Sequence, residues 1–371
     1  MTNYFSQLET IATQITAKHA VDVDRGAFPT QTVDSLRQAG LLGLISAKEV
    51  GGMGKGLRAA AGVIERLARE CASSAMVMCM HYSGVAVLEQ HGSEEVRRSV
   101  ARGQHLSTLA FSESGSRSHF WAPVGTATLC TEGIRLDAHK SWITSASHAT
   151  AYVWSSLPVS GEVASTIWLV PADARGLSRK GPFTALGMRG NDSTPVIAEG
   201  VIVSESARLG QDGEGFDIMM GIVLPYFQVM NAACSIGLME GAIQHVCAHA
   251  SGTRYEHIKS SLADLPTIRN YIARMRVKAD AARTLWLDTI TAIDEGREDT
   301  MLRILECKAA AGEAATEVLD LAMRVCGGAA FRQDVAVERY FRDTRAATVM
   351  APTTDVLYDF IGKACCGMDL F

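Results

Sequence analysis

Apolar residues recur every three or four positions from Phe5 to Ala17, at Phe5, Leu8, Ile11 and Ile15, which predicts an amphipathic helix. A second helix is expected from Pro29-Thr30, since proline suits a first helical turn, with Val33 and Leu36 leading to Gly40 and Gly43. The glycines of Glu49-Val50-Gly51-Gly52-Met53-Gly54 then predict a loop. From about residue 57 to 104 the pattern is helical again, and Ala72 to Leu88 is apolar on nearly every side, as in a helix buried inside a bundle. His81 on that helix is expected to be a hydrogen-bonded core histidine.

The pattern changes near Leu106. Short apolar runs at 106–111, 125–131, 133–136, 151–155, 166–170 and 200–203 predict strands, separated by turns such as Glu132-Gly133 and Gly190-Asn191-Asp192. Helices return after Gly213-Glu214-Gly215. Leu224 to Ala250 carries small residues (Ala232, Ala233, Ser235, Gly237, Gly241) that permit close helix contact, and Asp264-Leu265-Pro266 opens the next helix with a capping acid and an early proline. Met301 to Val325 forms a third, stopped by Gly327; Val318, Leu321 and Val325 give its end a second apolar side and predict deep burial there. A last helix, Thr353 to Ala364, is entered through Pro352. The expected architecture is α+β: a helical domain over 1–105, a β domain over 106–210 and a helical bundle over 211–371.

Composition narrows the function classes. A chain of 371 residues, 47% hydrophobic, is long enough for several subdomains around a large core. A formal charge of −5 gives no basic field for a phosphate polymer, so no nucleic-acid partner is expected. The nine cysteines are scattered through apolar surroundings without the CxxC pairs of a zinc site, and predict reduced core thiols of a cytoplasmic protein and no metal; Cys365-Cys366 is read as buried and inert. Met1-Thr2-Asn3-Tyr4-Phe5 lacks a basic region followed by an apolar run, and no window of about 18 residues is uninterruptedly apolar, so neither a signal peptide nor a membrane span is expected.

Three stretches could carry chemistry. In Lys140-Ser141-Trp142-Ile143-Thr144, a Trp and a Thr two residues apart on a strand share a face, so that an indole packs beside a ring while a hydroxyl reaches its edge; an ordinary core strand is the alternative. The run from Leu109 to His119 ends a strand in a loop dense in hydroxyls, suited to a ring edge or a pyrophosphate, or else a plain surface turn. Gly327-Gly328 is either a helix stop or a place where backbone approaches a ligand closely. Arg339, Arg342 and Asp343 are read as ion-paired supports of the bundle.

Taken together, Cys326-Gly327-Gly328-Ala329-Ala330-Phe331, the Val337 to Asp343 run, Met350-Ala351-Pro352-Thr353-Thr354-Asp355-Val356 and Lys140 to Thr144 resemble the acyl-CoA dehydrogenase superfamily of flavoproteins. Further matching segments lie in order between about residues 40 and 356. The resemblance implies FAD, an N-terminal helical domain, a middle β-barrel or sandwich domain, a C-terminal four-helix bundle, and a homodimer or homotetramer. It implies that Trp142 lies against the isoalloxazine, that Thr144 bonds to N5, and that Phe111, Ser112 and Ser118 contact the flavin. The family loop reads Thr-Glu-Pro-Gly-Ala-Gly-Ser-Asp, and here Ser114 replaces the proline, Arg117 a glycine and His119 the acid. Arg254, Arg324, Gly327, Gly328 and Thr353 take the family's remaining cofactor positions, several of them serving a neighbouring subunit, with Arg324 where a Gln is common. The dehydrogenases' glutamate base aligns with Ala351 or, in its second location, Phe227, neither of which accepts a proton; Gln228 stands where an Arg commonly follows. Asp355 and Tyr226 are the remaining candidates for a displaced base. The implied activity is desaturation of an acyl thioester, bound to CoA or a carrier protein, with electrons passed to an acceptor flavoprotein. The alternative is a two-component flavin monooxygenase, supplied by a flavin reductase and acting on a small hydrophobic or amine substrate; a redox-neutral relative is third.

Overall fold

The structure is a computed structural model that describes residues 4–116, 119–161, 165–257 and 259–370. Its contacts divide the chain into two compact units: Met1–Ala60 with Met76–Ala185 and Arg189–Phe227, and Ala61–Ala75 with Leu186–Met188 and Gln228–Phe371.

The first unit begins with α1 (Tyr4–Ile11), a π turn at Ala12–Thr16 and α2 (Ala17–Asp24), so the helix expected to close near Ala17 runs on for two more turns. Next come α3 (Thr30–Gln38), which follows Pro29, and α4 (Leu57–Ala68), whose later residues belong to the second unit. α5 (Ala72–His91) is buried almost throughout, as its apolar composition requires, and α6 (Glu94–Ala101) is capped by the Ser93 hydroxyl, which accepts from Val96 N. His81 is the expected core histidine: Nε2 lies 2.9 Å from the Leu42 carbonyl and Nδ1 accepts from Ser107 N at 3.1 Å. One donating and one accepting nitrogen make a neutral ring, and burial pulls its pKa down to about 4.

The β region is a sandwich. One sheet has the order β1 (Ser107–Ala110), β4 (Ala151–Ser156), β5 (Thr166–Pro171), β8 (Arg208–Leu209); the other has the order β2 (Thr126–Cys130), β3 (Gly133–Ile143), β7 (Thr194–Val203), β6 (Leu177–Arg179). Only β1 and β4 pair in parallel. Tyr152, Trp154, Trp168 and Val170 of one sheet share a core with Ile134, Leu136, Val196 and Val201 of the other. β3 is longer than its apolar run predicts, because its outer face is polar and only alternate residues point inward; β7 is longer because its apolar residues continue on the far side of Glu199 and Gly200. β6 and β8 have too few residues to show alternation at all.

The chain leaves this unit through α7 (Gly215–Ile218), and the second unit takes most of α8 (Leu224–Gly252). The segment Gly215–Gly252 is apolar and long enough to cross a membrane, yet 83% of its most apolar window is buried in the protein, as in a core helix. After the small hairpin β9 (Arg254–Tyr255) and β10 (Ser260–Ser261) come α9 (Pro266–Glu295), α10 (Thr300–Cys326), α11 (Val337–Val349) and α12 (Thr354–Cys365), with α10 packed against the other three. The small residues of α8 are needed: a Cβ on Gly237 would stand 2.3 Å from the Glu65 carbonyl oxygen. Val318, Leu321 and Val325 are all buried, as expected.

Two local expectations are corrected. Asp264 does not cap α9; it closes a capping box with Ser261 around the preceding 3-10 turn, accepting from Ser261 N at 2.7 Å and Ser261 Oγ at 3.0 Å. Cys365 and Cys366 are exposed rather than buried, because they end α12 beyond Phe360, its last core residue.

Candidate active site

In the first unit, β1 ends at Ala110 and delivers buried Phe111 and half-buried Ser112. The Ser112 carbonyl accepts from Ser141 N at 2.8 Å, which ties this loop to β3 beside Trp142. Phe111 stacks on Phe120, centroids 6.4 Å apart. Glu113 then turns inward to form a fully buried ion pair with Lys140, and its second oxygen accepts from Val124 N and Gly125 N, each at 2.9 Å. Lys140 also donates to the Ser155 carbonyl at 2.7 Å and to Ser155 Oγ at 3.0 Å. Burial outweighs the attraction of Glu113 and lowers the Lys140 pKa to about 8. Ser118 lies outside the described residues.

The strand alternation expected for Trp142 and Thr144 is broken. A register shift between Lys140 and Ile143 and a left-handed backbone at Trp142 (φ 56°) turn the indole outward, 54% exposed, while Thr144 is 3% exposed. A non-glycine residue with positive φ is strained, and bulges of this kind re-aim side chains. One indole face stacks on Phe183, centroids 4.0 Å apart and planes 26° from parallel. Thr144 Oγ1 lies 3.3 Å from Ser193 Oγ, and the Thr144 carbonyl accepts from Thr108 Oγ1 at 2.7 Å. Phe183 N donates to the Ser193 carbonyl at 3.1 Å, so Trp142, Thr144, Phe183 and Ser193 form one connected patch. Phe227 is buried; Tyr226 is half-buried, and its hydroxyl pKa is raised, first by burial and then by Glu89.

In the second unit, Ala351 is half-buried, Thr353 is the N-cap residue of α12, and Asp355 is exposed in that helix's first turn. Behind this segment Lys308 is buried, donating to the carbonyls of Met350 at 2.9 Å and Pro352 at 2.7 Å, and desolvation lowers its pKa to about 7. Arg254 is exposed on β9, and Arg324 pairs at 3.2 Å with exposed Asp320. Gly327 (φ 56°) and Gly328 are exposed, and among the described residues nothing beyond their own stretch of chain comes within 4 Å of where a Cβ would stand on either. Arg342 pairs with Glu338 at 2.7 Å, Arg339 donates to the Glu70 carbonyl at 3.1 Å, and Asp343 accepts from Met188 N at 2.6 Å, so these residues support the bundle.

Sequence reasoning missed Phe183, Ser193, the Glu113 to Lys140 pair and Lys308. Phe183 and Ser193 lie in irregular chain with no period to mark them. The lysines left a signal: Lys140 occupies an inward strand position, and Lys308 interrupts the apolar stripe of Leu305, Ala309 and Gly312.

The domain models "Acyl-CoA dehydrogenase, N-terminal domain" and "Acyl-CoA dehydrogenase, C-terminal domain" match residues 6–103 and 213–366. A probable acyl-CoA dehydrogenase of Bacillus subtilis (strain 168) is 25% identical over 349 residues, 92% of this chain and 91% of its own. The structure of butyryl-CoA dehydrogenase from Megasphaera elsdenii superposes with a TM-score of 0.91 at 20% identity, covering 98% of this chain and 97% of that one. A prolyl acyl carrier protein oxidase superposes with a TM-score of 0.87 at 18% identity over 98% of this chain and 97% of its own. With both family domains matched in order on one chain and the fold shared along its length, the protein belongs to the acyl-CoA dehydrogenase superfamily of flavoprotein oxidoreductases.

Proposed function

We propose that this protein is an FAD-dependent oxidoreductase that desaturates an acyl thioester carried on CoA or on a carrier protein, without a glutamate at either usual base position. The observation that carries the reading is the Trp142 patch. A large aromatic ring is held outward by a strained backbone, with Phe183 on one face, and Phe183 is tied through Ser193 to the buried Thr144 hydroxyl. Strain of this sort persists where surrounding structure over-determines it, and a flat ring ligand gives it a purpose. When bound, FAD supplies the hydride acceptor.

The chain's own residues do the rest. Trp142 offers the ring a stacking surface, and Thr144 donates to its edge while Ser193 donates to Thr144. Phe111 and Ser112 border the same loop. Arg254, Arg324, Gly327 and Gly328 are assigned to the cofactor of a neighbouring subunit in a homo-oligomer, a reading supported by their exposure and by Phe331, which is 79% exposed at the end of the turn that the two glycines begin. Desaturation also needs a group to take the α-proton as hydride leaves the β-carbon. Tyr226 is a poor acceptor because a phenol is already protonated at neutral pH, and burial raises its pKa further. Asp355, one turn beyond Ala351, is the better one. Both CoA-bound and carrier-bound thioesters appear in the names of proteins that share the fold.

The reading is tested by anaerobic absorbance titration of the FAD-loaded protein with a panel of acyl-CoA and acyl-pantetheine thioesters. Bleaching of the flavin band is expected, and Asp355→Asn should bind FAD normally but fail to bleach. The loss of carboxylates at both 351 and 227 favours a second reading, a two-component monooxygenase. Under it no thioester bleaches the flavin, and chemically reduced protein forms an oxygen adduct on exposure to air.

A further inference from the structure

Two carboxamides on α8 are buried without adequate partners. Gln228 is fully buried, and neither its Nε2 nor its Oε1 has a hydrogen-bond partner; among the described residues no other side chain has both polar ends orphaned. Asn231, 1% exposed, has no partner for Oδ1 and gives Nδ2 only to the thioether of Met350, a weak acceptor, at 3.3 Å. Residues three apart on a helix are neighbours on one face, so the two amides act together. Thr354, in the first turn of α12, adds a buried hydroxyl that also lacks a partner. The segment that carries Met350 and leads to Thr354 is held in place by Lys308 through the Met350 and Pro352 carbonyls.

Unpaired polar atoms in a core lower stability, and leucine or methionine would serve α8 better if packing were all that mattered. In sequence, Gln228 and Met350 stand next to Phe227 and Ala351, the two positions where the family resemblance places the proton acceptor. We infer that Gln228 and Asn231 form a subsite for a neutral group that both donates and accepts hydrogen bonds, a hydroxyl or a carboxamide on the acyl portion of the substrate. This rests on the thioester reading above. An alkyl group would leave the amides unpaired. A carboxylate would find the Lys308 ammonium already directed at two carbonyls.

The test is calorimetric binding of unreactive pantetheine thioethers, the portion common to CoA and carrier proteins, to the full-length FAD-loaded protein. S-(ω-hydroxyalkyl), S-alkyl and S-(ω-carboxyalkyl) compounds of equal length are compared at several chain lengths. The hydroxyalkyl compound should bind at least roughly tenfold more tightly than both others at one length or more. The Gln228→Met/Asn231→Leu variant should lose that preference while keeping its FAD affinity. Equal or weaker binding of the hydroxyalkyl series at every length overturns the subsite, as does a preference that survives in the variant. The wild-type comparison decides the matter if the variant does not fold. If alkyl and polar compounds bind alike, only the subsite fails; if no thioether binds, the thioester reading fails and the subsite with it.

Discussion

Each unit buries one lysine, and the two are solvated in opposite ways. Lys140 in the β sandwich meets a carboxylate, a carbonyl and a hydroxyl, whereas Lys308 in the helical unit meets two main-chain carbonyls. The pKa is lowered to about 8 in the first case and about 7 in the second, burial being the leading cause in both. For Lys140, the counter-charge of Glu113 recovers part of what desolvation removes. The lesson extends to what each lysine holds. Lys140 fastens the loop after β1 to β3, next to the outward-turned Trp142, and Lys308 fastens the 350–352 turn, whose Met350 touches Asn231. Each unit thus has a costly polar anchor beside a feature that packing alone would not select, an exposed indole in one and orphaned amides in the other. Such departures from local rules are where function is to be sought.

The comparison is broken most sharply by removing the counter-charge. Glu113→Leu leaves an unpaired ammonium in the sandwich and should lower unfolding free energy by about 3–5 kcal/mol, measured by urea denaturation. Adding Lys140→Met should restore most of the loss; if the double variant is as unstable as the single one, the pair is not what matters there.

The pH response sharpens the contrast next. For a lysine whose folded pKa lies below its unfolded value of about 10.4, the unfolded state binds more protons between the two, so stability rises with pH across that window. Lys308 should contribute a rise of up to about 1.4 kcal/mol per pH unit beginning near pH 7, with Lys140 joining only above about pH 8. Lys308→Met should flatten the profile between those two points and leave the upper part sloping. An unchanged profile would mean that Lys308 is not charged and desolvated as described.

The smallest effect concerns the indole. Trp142→Ala removes a ring that is 54% exposed, so stability without cofactor should change by less than about 0.5 kcal/mol, while FAD affinity falls roughly tenfold in a fluorescence titration. Unaltered affinity would take Trp142 out of the site.

Much of this was legible beforehand, and the reason differs from residue to residue. The burial of α5 and of the Val318 face of α10 follows from apolar residues at helical spacing, which only a surrounding core satisfies. β3 was legible at both ends, as the apolar run to Leu136 and as the strand read at Lys140 to Thr144, while its polar outer face hid the stretch between, and the outward turn of Trp142 was not legible at all. A bulge arises from pairing with β7, some fifty residues away in the chain, which no local pattern reports. The exposure of Cys365 and Cys366 was misread because cysteine is usually buried, and here the helix simply outruns its core.

By itself, then, the sequence determined the order of helices and strands, the family, and the absence of a carboxylate at positions 351 and 227, since periodicity and residue identity are properties of the chain alone. Tertiary structure decided which side chains are partnered. Glu113 reaches Lys140 across 27 positions, Lys308 reaches Pro352 across 44, and the Gln228 side chain is left with no partner among the described residues. Hydrogen bonding and desolvation depend on what lies within a few ångströms, and distance along the chain does not supply that.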